Sequence, residues 1–591
     1  MHSIFQNWTT TTPGTVWGLP EGLDAFALSH LAAQHDGQAV FVAVDDAAMM
    51  RMKTSLTLAG VADDHILTFP AWDCLPYDRV SPNGVLTGQR LKALAEMRAT
   101  PDAPRVLLTT INAWLQRVPP PSYFAGASLN ITVGGRLSQK EFAAFASANA
   151  YRRCDPVRVG GEFAVRGGIV DVFPPGHHDP VRIDFFDTEI ETIKRFDAET
   201  QRSGEKLDGL SLHPVSELML NDDTITAFRG KYLELFGGAA SKDPLYVSIS
   251  EGRHHPGMEH MLPLFHDGLV PLSHYVATAP VMIDPDVPAA MTARFEQIRD
   301  FYDARCDHGD DEGSDSIWRP LDPNALYLND ADWQAEGERV VRHQIARFHR
   351  QDGEGGEGIV AGGKRGAIYH TATTESKITG EDTPASPSVA VAEAIPALVK
   401  SGPVVLAATT EGARTRMDEL IAEHLPARFG ITPVQGITDL KPGQVVSTIW
   451  PIEDGFSVAG LTVITEKDVY GNRISRPQGK RRKGENFLRE VSSLSTGDLV
   501  VHVDHGIGRY EGLEKISTGG VDHDCLLLVY SGGDKLFLPV ENIDLLTRYG
   551  KEGGDAQLDK LGGAAWQARK ARIKGRVKDI AEQLIKIAAA R

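Results

Sequence analysis

Residues 497–547 alternate and turn as a small all-β module does, and no other stretch narrows the folds open to this 591-residue chain so far. Val500, His502 and Asp504 alternate with Val501 and Val503, the period of a half-buried strand. Leu526–Tyr530 is a more fully apolar strand. Ser531–Asp534 supplies a tight turn, and Lys535–Val540 runs back. Gly506, Gly508, Gly512, Gly519 and Gly520 provide the bends of a small SH3/Tudor-like β-barrel. The segment holds no catalytic constellation, so its expected work is binding. The strand Tyr510–Ile516 ends in an apolar residue beside the Gly519-Gly520 turn. An open strand edge can accept a partner's strand, with alternate side chains setting specificity. Ile516 is the candidate anchor, with Leu513 and Lys515 beside it; burial of Ile516 in the barrel core is the equal alternative.

The rest of the chain has room for about four domains. At 42% hydrophobic residues it can build ordinary cores. It has no apolar run of membrane-spanning length. Its first residues, MHSIFQNWTTTT, lack the basic and apolar regions of a secretory signal. Cys74, Cys154, Cys306 and Cys525 are too scattered for a disulfide framework or a zinc knuckle, which suits a cytoplasmic protein. The net charge of −18 argues against a protein that coats DNA.

The expected architecture is multidomain α/β and α+β. Over 1–118, strands at 38–44, 65–70 and 105–110 alternate with helices at 22–35, 46–59 and 86–98, the order of a parallel sheet covered by helices. Pro119-Pro120-Pro121 marks a boundary. A compact α+β insert follows at 122–215, with a helix at 139–149 and strands at 162–166, 168–173, 181–186 and 189–196. Residues 216–370 return to mixed helix and strand, broken by acidic loops at 306–316 and 351–358. A small α/β domain is expected at 388–470, with strands at 403–408, 444–449 and 461–465. A basic linker at 471–496 includes Arg476–Lys483, read as a solvated tether with a phosphate contact as its alternative. In the final stretch, 557–591, Trp566, Ile573, Val577, Ile580, Leu584 and Ile587 form an amphipathic helical stripe.

Four motifs carry possible chemistry. In Gly161–Pro174 and Val181–Glu191, Arg166 and Arg182 lie among strand residues, where a guanidinium beside exposed apolar groups makes an interface anchor. An ion pair within the domain, to Asp171, Asp184 or Asp187, is the plainer reading and stands first on the residues alone. The turn Val16–Asp24 occupies the place of a phosphate loop, yet it lacks lysine and a properly placed hydroxyl. Pro20 removes an N–H donor, and Glu21 and Asp24 repel phosphate. The nearest alternative, Gly358–Arg365, has arginine in the magnesium position and follows an acidic Gly-rich loop. Two histidine groups, His254/His255/Glu259/His260/His266 and His502/Asp504/His505, are candidate metal sites. Pro256-Gly257 breaks the first, and alternation places His505 opposite His502 in the second, so no metal is expected.

The 497–547 module closely resembles the RNA-polymerase-interacting domain of the bacterial transcription-repair coupling factors, the Mfd family, itself similar to CarD-type regulators. The 161–203 block resembles the domain through which that family and the repair protein UvrB bind UvrA. Phe69–Pro82, FPAWDCLPYDRVSP, resembles the family's version of an element that in UvrB becomes a DNA-inserting hairpin. Here it is short, so Trp72 and Tyr77 are expected to pack rather than probe DNA. The resemblance covers essentially the whole chain. It implies UvrA binding by Arg166, Arg182 and Phe186, and binding of the RNA polymerase β subunit by Leu513, Lys515 and Ile516. It implies a monomeric adaptor without catalytic residues, cofactor or metal in residues 1–591. ATP, magnesium and DNA belong to a helicase-like motor downstream of the terminal helix, and the enzyme class of the chain itself stays open. Two competing readings are a UvrB-like ATP-dependent damage-verification subunit and a CarD-like transcription regulator.

Overall fold

A computed structural model describes residues 2–559 apart from 6, 7, 9–12, 79, 101, 102, 126, 277, 308–318, 348–357, 370–385, 472–498, 503, 504, 519, 520, 540–545 and 549–557. Arg79, Asp504, the basic run at 476–483, most of the 306–316 and 351–358 loops and the terminal amphipathic stripe therefore lie outside the described residues. Two units emerge, residues 1–475 and 476–591. No helix among the described residues is long and apolar enough to cross a membrane.

The first unit is built on a seven-stranded sheet in the order 358–360, 14–17, 342–346, 281–283, 38–43, 105–110 and 66–69. Every pairing in it is parallel. Its central strands Gln38–Ala43 and Arg105–Thr110 are buried along nearly their whole length, as strands covered on both faces are. The sheet takes strands from both sides of the insert in the chain. Gly14–Trp17 pairs with Arg342–Ala346, more than 300 residues away. Gly358–Val360, which follows the acidic Gly-rich loop, is the edge strand beside Gly14–Trp17.

The insert carries a six-stranded sheet: β1 (Arg152–Arg153), β2 (Glu162–Arg166), β3 (Ile169–Val172), β4 (Val181–Phe186), β5 (Glu189–Phe196) and β6 (Ser203–Leu207). It is antiparallel except for the β1–β2 pair. One face buries Phe163, Val170, Val172, Val181, Ile183, Ile190 and Ile193 against the helix Gln139–Ala148. Ser138 and Glu141 start that helix with a reciprocal capping box. The insert meets the parallel-sheet body at a glycine-on-glycine contact. A Cβ on Gly88, in the helix Gly84–Ala99, would lie 2.7 Å from the Gly176 nitrogen and 2.9 Å from Pro175.

Five strands from residues 387–470, with Lys364–Arg365 added at one edge, form a further six-stranded sheet, mixed in direction. It was expected to stand as a separate domain. Instead Val405, Ala407, Val446, Trp450, Phe456 and Val463 belong to the same apolar core as Phe26, Leu31, Met52 and Leu56. The reason is visible in the sequence of the helix Leu23–Ala33, which is apolar on every side and so needs cover beyond the parallel sheet.

The second unit is a five-stranded antiparallel sheet of β7 (Leu499–His502), β8 (Gly506–Thr518), β9 (Val521–Val529), β10 (Lys535–Pro539) and β11 (Leu546–Arg548). Its order is β10-β9-β8-β7-β11. Val500, Tyr510, Leu526, Leu528, Tyr530 and Leu538 make its core. Asp559 is tied to this sheet: its carboxylate accepts from the Ile507 nitrogen at 2.9 Å, and its own nitrogen donates to the Ile507 carbonyl at 2.9 Å.

Candidate protein-binding surfaces

The register of the insert sheet decides which side chains share its outer face. Arg166 lies opposite Ile169, Ile169 opposite Asp184, and Arg182 opposite Asp171. Phe186 follows Arg182 and Asp184 at the strand period of two, so Arg166, Arg182 and Phe186 all occupy the face away from the core. Arg166 and Phe186 lie beside neighbouring hairpin turns at one end of the sheet. Phe186 is 71% exposed. A phenyl ring held in water on a rigid strand beside cationic groups is the composition of a binding hot spot.

The two arginines are held differently. Arg182 Nε and Nη2 donate to the two oxygens of Asp171 at 2.7 and 2.9 Å, and its guanidinium sits 4.8 Å from the Phe196 ring centroid. Asp171 is buried. The intradomain ion pair that the residues alone favoured is therefore present for Arg182. Arg166 pairs with Asp155, a residue the sequence reading did not single out, and both side chains are well exposed. A third cation on this face, Lys194, donates to Asp184 at 3.0 Å, and Thr192 donates to the same carboxylate. Together these hydrogen bonds and Lys194, against the cost of partial burial, hold the Asp184 carboxyl below the usual carboxylate range.

The second surface is on β8 and β9. β7 pairs only with Gly506–Arg509 of β8, and β10 only with Cys525–Val529 of β9. From Gly512 to Asp524 the two strands thus run as a ribbon with no further strand beside either among the described residues. Such unpaired edges are templates for another strand. Leu513 is 56% exposed, and Lys515 is exposed as well. The Ile516 backbone pairs with His523; its side chain lies outside the described residues.

The strand-to-helix turn at 18–24 does not fit a nucleotide phosphate, because protein fills it. Asp24 is buried at the helix start, accepting from the Gly22 nitrogen at 2.9 Å and from Arg347 Nη1 at 2.6 Å. Arg51 binds Glu21 at 2.6 Å. A Cβ on Gly22 would stand 2.7 Å from the Trp450 ring, and one on Gly363 would stand 2.5 Å from Pro20. Trp450 is fully buried and donates from Nε1 to the Ser55 hydroxyl at 2.9 Å. The carboxylates expected to repel phosphate thus have arginine partners.

The remaining candidates resolve into packing. Trp72 and Tyr77 are buried, as expected, around His260. Arg90 lies beneath this element, donating to the Pro70 carbonyl at 2.9 Å and pairing at 2.5 Å with buried Glu217. His254 and Ser81 both bond to Glu259, tying two loops together. His505, expected opposite His502, instead places its ring 4.6 Å from it, because it stands in a turn after the strand has ended. No group of three metal-ligating residues converges among the described residues.

Comparison with known proteins agrees with this division. Residues 129–218 match the UvrB interaction domain, and residues 494–550 match the CarD-like/TRCF RID domain. The chain is 31% identical over 528 residues to the transcription-repair-coupling factor of Rickettsia bellii, covering 89% of this chain and 45% of that protein. It is 29% identical to the one from Haemophilus influenzae and 28% to the one from Escherichia coli, each over 96% of this chain and 48% of the relative. The chain spans about half the length of the curated relatives it matches. With both domains present and the likeness running over nearly all of its length, this chain is a relative of the transcription-repair-coupling factors, resembling their N-terminal portion.

Proposed function

We propose that this chain is the adaptor portion of a transcription-repair-coupling factor, recruiting UvrA through the insert sheet and holding RNA polymerase through the β8–β9 ribbon. The observation that carries this reading is the presence of both matched domains in one chain, each with an exposed strand surface. On the first, Phe186 is the apolar anchor and Arg166 and Arg182 are the flanking cations. On the second, Leu513, Lys515 and Ile516 line an open edge suited to a strand of the polymerase β subunit. The five strands then close as an SH3/Tudor-like barrel. The chain acts as a cytoplasmic monomer. ATP-driven translocation on DNA belongs to the other half of the whole relatives, with ATP and magnesium held there. The filled turn at Gly22 disfavours the UvrB-like enzyme.

Titration of the chain with purified UvrA, and separately with the polymerase β subunit, tests the proposal. Saturable binding to both supports it. Binding to the β subunit alone returns the chain to a CarD-like regulator.

A further inference from the structure

Three cations on the outer face of the insert sheet are each held by a carboxylate, Arg166 by Asp155, Arg182 by Asp171 and Lys194 by Asp184, while Lys206, opposite Lys194, is exposed. For Arg166, Arg182 or Lys194 to meet an acidic partner, its pair has to open. The pairs differ in how readily they can. The Arg182 side chain is 19% exposed and that of Asp171 2%, with two hydrogen bonds between them, so opening this pair strands a buried carboxylate. Lys194 and Asp184 are about one-quarter exposed, and Thr192 holds the carboxylate too. The side chains of Arg166 and Asp155 are 43% and 63% exposed, so water can solvate both when they part.

We infer that Asp155 is a built-in competitor for Arg166, displaced by a carboxylate of the partner when Phe186 enters an apolar socket. This rests on the reading of the face as a UvrA-binding surface. Arg182 is then a positioning residue that stays on Asp171, and Arg166 is the group that changes partners. Asp155 sets the affinity by holding Arg166 back, so coupling to repair waits for a partner with correctly placed negative charge.

A double-mutant cycle on the full chain tests this, with affinity for purified UvrA as the readout. Asp155→Asn keeps the side-chain size and removes the competing charge. It should tighten binding about two- to fivefold, the range that an exposed ion pair spans. Asp155→Glu, which retains the charge, should bind within twofold of wild type. Arg166→Ala should weaken binding, and adding Asp155→Asn to it should change nothing further. Unchanged or weaker binding by Asp155→Asn overturns the competitor role, as does an equal gain in the Arg166→Ala background. Absence of wild-type binding, or full binding by Phe186→Ala, instead overturns the surface assignment and the competitor role with it. Near-ultraviolet circular dichroism of each variant separates loss of binding from loss of fold.

Discussion

Arg182 clasps the buried carboxylate of Asp171 through two hydrogen bonds of 2.7 and 2.9 Å while its guanidinium lies over the Phe196 ring. The pair joins β3 to β4 across the middle of the outer face. Asp171→Ala leaves the arginine without its partner, and the exposure of Arg182 moderates the penalty. A loss of about 2 kcal/mol in urea unfolding is expected. Arg182→Ala lowers stability as well as UvrA binding, so its binding defect has to be measured on protein shown to be folded.

Phe186 behaves in the opposite way. Its ring is in water, so Phe186→Ala should leave the unfolding midpoint within about 0.5 kcal/mol of wild type. The same change should weaken UvrA binding by about 2 kcal/mol or more, as removal of a central aromatic anchor does. Calorimetric titration beside thermal melting reads both.

The junction at Gly88 allows no side chain. Gly88→Val puts its branches into Gly176 and Pro175, which are backbone and a rigid ring, so strain has to move the helix or the insert. A loss of about 2 kcal/mol or more is expected in urea unfolding. Proteolysis between residues 100 and 130 should be faster in this variant.

Trp450 fills the turn beside Gly22. Trp450→Ala should cost about 3–5 kcal/mol by opening a large cavity in a core shared by two sheets. Equilibrium dialysis should show no gain of ATP binding in that variant, since Asp24 and Arg347 still occupy the helix start.

Two buried histidines and a half-buried one set an acid limit. Burial pushes His177, His213 and His260 down to about 4. The unfolded chain therefore binds more protons than the folded one between about pH 6.5 and 4, and stability falls as pH drops through that window. A shift of this size is worth about 3 kcal/mol per histidine at most. Urea midpoints should fall between pH 7 and pH 5, and His260→Phe, placed between Trp72 and Tyr77, should fall less steeply.

Strands with local signals could be read from sequence to within a residue or two. Val181–Phe186 alternates buried and more accessible positions, and Gln38–Ala43 is a nearly continuous apolar run. Ser203–Leu207, polar and lying at the sheet edge, has no such signal. Nor does any local pattern encode the pairing of Gly14–Trp17 with Arg342–Ala346, which depends on packing across the whole first unit. The same limit hid the partner of Arg166. Asp171 and Asp184 lie nearer in the strand pattern, but Asp155 reaches the guanidinium from the loop after β1. The fusion of residues 387–470 with the parallel-sheet core was missed because its strands look complete by themselves.

The most direct test of the central claim is whether one copy of the chain holds UvrA and the RNA polymerase β subunit together, measured by sedimentation velocity on the three-component mixture. A single ternary species that loses only UvrA with Phe186→Ala is the predicted result. Binding to neither protein, or to each only in the absence of the other, would contradict the account.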